Sequence, residues 1–471
     1  MNKKLKWILI SIFWLLLWQA ISMLVGSSLL LPGPWETARG LFALLADGKF
    51  YADVTATVGR CLLAILLSLA AGFLLSILAY RNRAIRDILS LPVALFKTVP
   101  VMAVAIYMLL LLSAGNVPVL VCWVMCFPIV YTNLLTGLDN LDAEVLEMAD
   151  AYEITGKRRM RFVYIPALFP YFKSAASIIA GMSWKAVVTA EVLSVPQFSL
   201  GYELMNSKYY LNTDLLFAYV AVIILISMLF EKLIVKLLKR MEPREYEGSR
   251  IIKTNKAHAE AARDVHTDDR QENADIIAPR IELRNISKSY ADKKVLEDFN
   301  MVIESGKVTA LMGASGIGKT TVGRLICRRE EPDGGELIFS DETSISVLFQ
   351  EDRLLPWLNV FDNIAIVLDN TDRVSKILSA VGLGSELSKL PSQLSGGMCR
   401  RLAIARAFAY AEDKSAGLLI ADEAFRGLDD ETRNSVIERV WKTGIAGRTA
   451  LLITHSKELA KELADDIVCL N

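Results

Sequence analysis

The chain has 471 residues, more than one hydrophobic core usually serves, so two folded parts with connecting material are expected. Hydrophobic residues make up 53% and charged residues 22%, with a mean hydropathy of +0.37, which excludes both an ordinary soluble protein and a wholly membrane-embedded one. The 52 basic and 52 acidic side chains leave a formal net charge of +0, so no global field points to an acidic substrate and no nucleic-acid partner is expected.

Residues 1–240 carry roughly six apolar stretches long enough, at about 1.5 Å per residue, to cross a hydrocarbon core of about 30 Å. They run from Trp7 to Leu24, Val58 to Tyr80, Val99 to Leu112, Val117 to Leu138, Phe169 to Leu193 and Leu215 to Leu238. The third is the weakest, because Lys97 and Pro100 trim it. Lys3, Lys4 and Lys6 precede the first stretch, Arg81, Arg83 and Arg86 follow the second, and Lys157, Arg158, Arg159 and Arg161 follow the fourth. Positive charge marks the cytoplasmic side, so the amino terminus and everything after an even number of crossings are expected inside. A cleavable signal peptide is the competing reading of the first stretch; its length, its three tryptophans and the lack of a small-x-small site speak against it.

Within the fifth stretch Lys185 and Glu191 are charges expected to avoid lipid. They either line the solute path, or find partners at a dimer interface or snorkel near a membrane boundary, and their spacing of six puts them on nearly opposite helix faces. The cysteines at 61, 122, 126, 327, 399 and 469 form no C-x-x-C pair and read as inert thiols.

From 241 to about 278 the sequence is polar, mixed in charge and poor in aromatics, which predicts a flexible linker. Residues 279–471 alternate short apolar runs such as VTALMG, LLIADE and TALLITH with helical segments, the pattern of an α/β domain with a mostly parallel sheet. VTALMG runs into Gly313-Ala314-Ser315-Gly316-Ile317-Gly318-Lys319-Thr320, which fits G-x-x-x-x-G-K-[ST] in its strand, loop, helix context. Its glycines let backbone N–H groups face phosphate, Lys319 can reach the β/γ phosphates of ATP, and Thr320 can ligate Mg²⁺. The strand LLIADE ends in two carboxylates with separate tasks, Asp422 on the metal and Glu423 as general base toward water.

Leu394-Ser395-Gly396-Gly397 stands between these elements, and with it the soluble half resembles ATP-binding cassette (ABC) transporters. The resemblance rests on the phosphate loop, Gln350 after SISVLF, the LSGG run, the acidic strand end, Gly427-Leu428-Asp429 and His455. It implies that Tyr290 stacks on adenine, unless it is a plain strand tyrosine, and that Gln350 touches Mg²⁺ or the attacking water. His455 would contact the γ-phosphate, with Thr321, Gly396 and Asp429 in the same nucleotide-binding set. Ser395 and Gly397 would bind the phosphate held by a second subunit, so a homodimer is implied, or a heterodimer with a related chain. Three positions depart from the family pattern: Met398 in place of glutamine, Ala424 in place of proline and Ser456 in place of aspartate.

The membrane half resembles importer permeases in Glu147-Met148-Ala149-Asp150-Ala151, Gly156 and Ile165-Pro166. In that family the segment makes a short helix that docks on the ATPase; an ordinary basic loop is the alternative. The run FQEDRLLPWLNVFDNI resembles ATPases of nitrate, sulfonate, taurine and thiamine-precursor importers. The expectation is therefore a polytopic all-α permease fused to a cytoplasmic P-loop ATPase in the cell membrane, served by an extracytoplasmic solute-binding protein. An exporter half, suggested by domain order, and an ATP-driven signalling module are the alternatives.

Overall fold

The computed structural model describes residues 3–27, 29–241, 276–290 and 293–470, so most of the linker expected at 241–278 lies outside the described residues. The chain divides into two compact units, Met1–Leu141 with Ala167–Glu242, and Asp142–Pro166 with Pro243–Asn471.

The first unit is helical. Leu5–Val25, Gly48–Arg81, Val117–Asp139, Gly156–Ser194 and Thr213–Met241 are long and apolar enough to cross a membrane. A sixth crossing arises if Arg83–Thr98 and Val101–Leu111, bent by 109°, form one broken span. The break falls where the sequence reading is weakest: Pro100 has no N–H to continue the helix and holds Val99 extended at ψ 128. Gly48–Arg81 crosses Val117–Asp139 at backbone range, since a Cβ on Gly72 would lie 2.4 Å from Val130 Cγ1. Cys61, Cys122 and Cys126 are fully buried in this interior, and among the described residues no cluster of His, Cys, Asp or Glu could hold a metal. Glu191 is fully buried and accepts from Arg60 Nη1 at 2.7 Å, Thr57 Oγ1 at 3.0 Å and Gly201 N at 3.3 Å. Arg60 also donates to the carbonyls of Gln197 and Phe198, tying the turn after Ser194 to the Gly48–Arg81 helix. Glu191 thus pairs within its own chain, an arrangement the sequence reading does not include, while Lys185 is exposed.

The second unit contains β1 (Ile281–Tyr290), β2 (Lys293–Ile303), β3 (Val308–Met312), β4 (Gly334–Phe339), β5 (Ile345–Leu348), β6 (Leu418–Asp422), β7 (Thr449–Ile453) and β8 (Asp466–Cys469). Five strands pair in the order β5-β6-β7-β3-β8, all parallel. Every residue of β3, β6 and β7 is buried, as expected where both sheet faces are covered. Beside this sheet is an antiparallel one, β2-β1-β4, that the sequence pattern does not separate.

Residues 142–166 belong to this unit. Asp142 caps the helix Ala143–Ala151 by accepting from Glu144 N at 2.9 Å. Val145, Met148 and Ala149, at helical i, i+3, i+4 spacing, join one core with Leu348, Leu355 and Phe361. Tyr152 is buried and donates its hydroxyl to Val347 O at 2.8 Å. Gly156, at φ +55, turns the chain where a Cβ would be strained, and Trp357 Nε1 then bonds Phe162 O at 2.7 Å. The short helix docking on the ATPase is thus the arrangement the importer resemblance implies.

Candidate functional site

Parallel strands end their carboxyl edges together, and ligands of such sheets bind beyond that edge. Here β3 leads into the phosphate loop, β5 into Gln350, β6 into Asp422-Glu423 and β7 into His455. These segments and Tyr290 border one cleft of 670 Å³, within the usual range of a small-ligand site.

The phosphate loop holds its shape through glycine. Gly318 sits at φ +117, and a Cβ there would come within 2.9 Å of Val295 Cγ1. The helix Lys319–Ile326 starts immediately after it, so its first N–H groups face the cleft. Lys319 Nζ lies over the loop, donating to the carbonyls of Gly313 and Ala314, both at 2.8 Å. Thr320 Oγ1 donates to Asp422 Oδ2 at 2.9 Å. Burial pushes the Asp422 carboxyl above its usual range, partly offset by the Thr320 hydrogen bond. A bound cation would relieve that penalty. The hydroxyl, the carboxylate and the amide of Gln350 supply hard oxygen donors, a set that fits Mg²⁺ completed by phosphate and water.

Glu423 is the first residue beyond β6 and sits at φ +48, a strained conformation for a residue with a side chain. Its N–H donates to Ile453 O at 2.9 Å, and its Oε1 lies 2.8 Å from His455 Nδ1. The imidazole itself is 72% exposed, so one of its nitrogens is held while the ring stays open to solvent.

Of the sequence-predicted residues, Tyr290, Ser315, Gly316, Gly318, Lys319, Thr320, Thr321, Gln350, Asp422, Glu423 and His455 line the cleft. Gly313, Ala314 and Ile317 do not line it: the first two give their carbonyls to Lys319 Nζ, and Ile317 packs against the core that includes Leu311 and Ile453. Ser395, Gly396, Gly397 and Asp429 do not line the cleft either. Ser395 caps the helix Gly396–Asp413, accepting from Met398 N at 3.3 Å, and Asp429 caps Asp430–Val436, accepting from Thr432 N at 2.9 Å. The hydrogen bonds from Thr432 hold the Asp429 carboxyl below its usual range. Of the three departures, Ser456 keeps a capping role, accepting from Leu459 N at 3.3 Å, and Met398 and Ala424 enter the local frame through backbone atoms.

Sequence reasoning misses Val295 and Arg426, which line the cleft, and two buried arginines beside it. Arg426 stands three residues after Glu423 and could have been found by that spacing. Arg400 and Arg406 give no comparable signal, because their partners are carbonyls from distant segments.

Fold and site define a P-loop ATPase joined to a multi-span helical unit. Residues 296–426 match the family described as ABC transporter, and residues 64–244 match that described as binding-protein-dependent transport system inner membrane component. An aliphatic sulfonates import ATP-binding protein of Paracoccus denitrificans is 37% identical over 198 residues, covering 41% of this chain and 80% of that protein. A sulfate/thiosulfate import ATP-binding protein of Neisseria meningitidis is 36% identical over 215 residues, covering 41% of this chain and 58% of that one. A solved dimeric ATP-binding cassette in a post-hydrolysis state with ADP and Pi aligns over 41% of this chain and 94% of that chain, at 25% identity and a TM-score of 0.37. The chain belongs to the ABC transporter family, as an importer that carries permease and ATPase in one polypeptide. It is a membrane protein with a cytoplasmic ATPase whose ATP hydrolysis is coupled to transport.

Proposed function

We propose that two copies of this chain form an importer in the cell membrane, hydrolysing ATP to take up a small solute handed over by an extracytoplasmic binding protein. The solute class is nitrate, sulfonate, taurine or a thiamine precursor, and the names of the sulfonate and sulfate relatives favour an oxyanion. One observation carries the two-copy reading: Ser395, Gly396 and Gly397 lie outside the cleft bordered by the phosphate loop of their own chain. If they bind phosphate, it is phosphate held elsewhere, and a two-fold dimer supplies it. A heterodimer with a related chain would satisfy the same geometry.

Within the cleft Lys319 and the loop amides bind phosphate, Tyr290 offers an aromatic face to the base, and Gln350 reaches in beside Asp422. Thr320 and Asp422 would hold Mg²⁺, which when bound neutralises charge on the phosphate oxygens. Glu423 polarises the attacking water, and His455, its Nδ1 2.8 Å from that carboxylate, is the contact to the γ-phosphate. Closing two cassettes on two nucleotides favours one state of the permease, and hydrolysis releases it. Glu423→Gln removes the base while keeping the side chain's shape. Turnover in the reconstituted protein is expected to fall at least about 100-fold with ATP still bound; wild-type turnover would remove the assignment. Stimulation of the ATPase in lipid discs by candidate binding proteins loaded with sulfonates or nitrate tests the import partner.

A further inference from the structure

Arg400 belongs to none of the nucleotide-contacting motifs and does not line the cleft, yet its guanidinium makes six hydrogen bonds. Nη1 donates to Phe349 O at 2.7 Å, Gln350 O at 3.1 Å and Asp352 Oδ1 at 3.2 Å. Nη2 donates to Asp422 O at 2.9 Å and Glu423 O at 2.8 Å, and Nε to Ala424 O at 2.8 Å. A buried arginine needs one well-placed carboxylate to offset its desolvation. Here Asp352 meets that need, while the remaining donors fix the main chain of the two segments that carry Gln350 and Glu423. The side chain is 4% exposed, so water does not compete for those carbonyls.

The same helix holds the neighbouring residues a second time. Arg406 donates to Asp352 O at 2.8 Å and Arg353 O at 2.9 Å, and Arg353, at φ +45, extends Nη1 to Glu147 Oε2 at 2.6 Å. A continuous set of bonds therefore runs from Glu147, in the segment between two membrane helices, through residues 349–353 to the strained backbone of Glu423.

We infer that Arg400 is a positioning residue for hydrolysis, registering the Gln350 segment against Asp422-Glu423-Ala424 so that a shift of Glu147 reaches the base through the main chain. The inference rests on Glu423 being the base, so Glu423→Gln is measured beside it: wild-type turnover there removes the catalytic reading, whatever Arg400 does.

Arg400→Lys keeps the charge and the pairing with Asp352 but loses the fork that spans two segments. In the full chain in lipid discs, kcat for ATP is expected to fall at least tenfold with KM and MANT-ATP affinity within about twofold. Glu147→Ala is expected to change kcat at least about threefold in the wild-type background and to add nothing in Arg400→Lys. Wild-type turnover in Arg400→Lys, a loss of MANT-ATP affinity matching the loss of turnover, no effect of Glu147→Ala, or additive effects of the two changes would each overturn the inference. Arg400→Gln is the harsher variant, and if it yields no folded protein the lysine variant alone decides.

Discussion

Tyr290 stands at the end of β1, an exposed residue bordering the cleft, with its hydroxyl paired with Glu330. Stacking between a base and an aromatic ring is worth about 1–3 kcal/mol. Tyr290→Ala is therefore expected to raise KM for ATP about tenfold with little change in kcat, and Tyr290→Trp to restore it; an unchanged KM in the alanine variant would make Tyr290 an ordinary strand residue. At this scale the chain is most readable where chemistry is local. Lys319, Thr320, Asp422 and Glu423 announce themselves because phosphate and metal binding demand those residue types at strand ends. Arg400 is silent because an arginine's task depends on which carbonyls the fold brings to it, here from segments 22 to 51 residues away. Glu191 shows the same limit: its charge marks the position as unusual, but its partner Arg60 lies 131 residues earlier.

The helix Val360–Ala365 carries a buried carboxyl that opposes its own packing. Burial pushes Asp362 up from 3.8 to about 6 against the opposing effect of a hydrogen bond with the Asn359 side chain, and its Oδ2 has no hydrogen-bond partner among the described residues. The folded value lies above the unfolded one, so the charged form costs stability as pH rises from about 4, with the full penalty above about 6. Asp362→Asn is expected to stabilise the ATPase by about 1–3 kcal/mol at pH 8, read as a higher melting temperature, with the gain shrinking as pH falls through 6 toward 4. A gain independent of pH would contradict this. In the membrane unit, Gly72→Leu should drive apart Gly48–Arg81 and Val117–Asp139, lowering the melting temperature and the yield of monodisperse protein; an unaffected variant would mean the crossing is looser than the 2.4 Å clearance implies. Elements differ in legibility for physical reasons. β3, β6 and β7 are covered on both faces and so read as unbroken apolar runs, whereas β1, β2 and β4 form a sheet with bulges and mixed exposure that breaks alternation. The third apolar stretch reads as one span, but Pro100 divides its region into two helices.

In the proposed importer, the segment between two membrane helices that packs with the ATPase is where the two halves of the chain communicate. Asp142–Pro166 comes from between two membrane helices in sequence, packs with the ATPase, and bonds residues that lead to Gln350. Ser395, by contrast, caps its own helix, and neither it nor Gly396 and Gly397 lines the cleft bordered by the phosphate loop of the same chain. Domain order alone is ambiguous between import and export; the matches to an inner membrane component of binding-protein-dependent transport and to import ATPases resolve it toward import. If each nucleotide cleft is finished by the partner copy, the phosphate loop of one copy meets Ser395 of the other, and an engineered disulfide can trap that meeting. One copy carries Ser315→Cys and the other Ser395→Cys, both with Glu423→Gln and with the native cysteines replaced. The expected result is a covalent dimer that forms with ATP and Mg²⁺ and not without nucleotide. Equal cross-linking with and without ATP, or none under either condition while the otherwise unmodified transporter still moves solute, would contradict it.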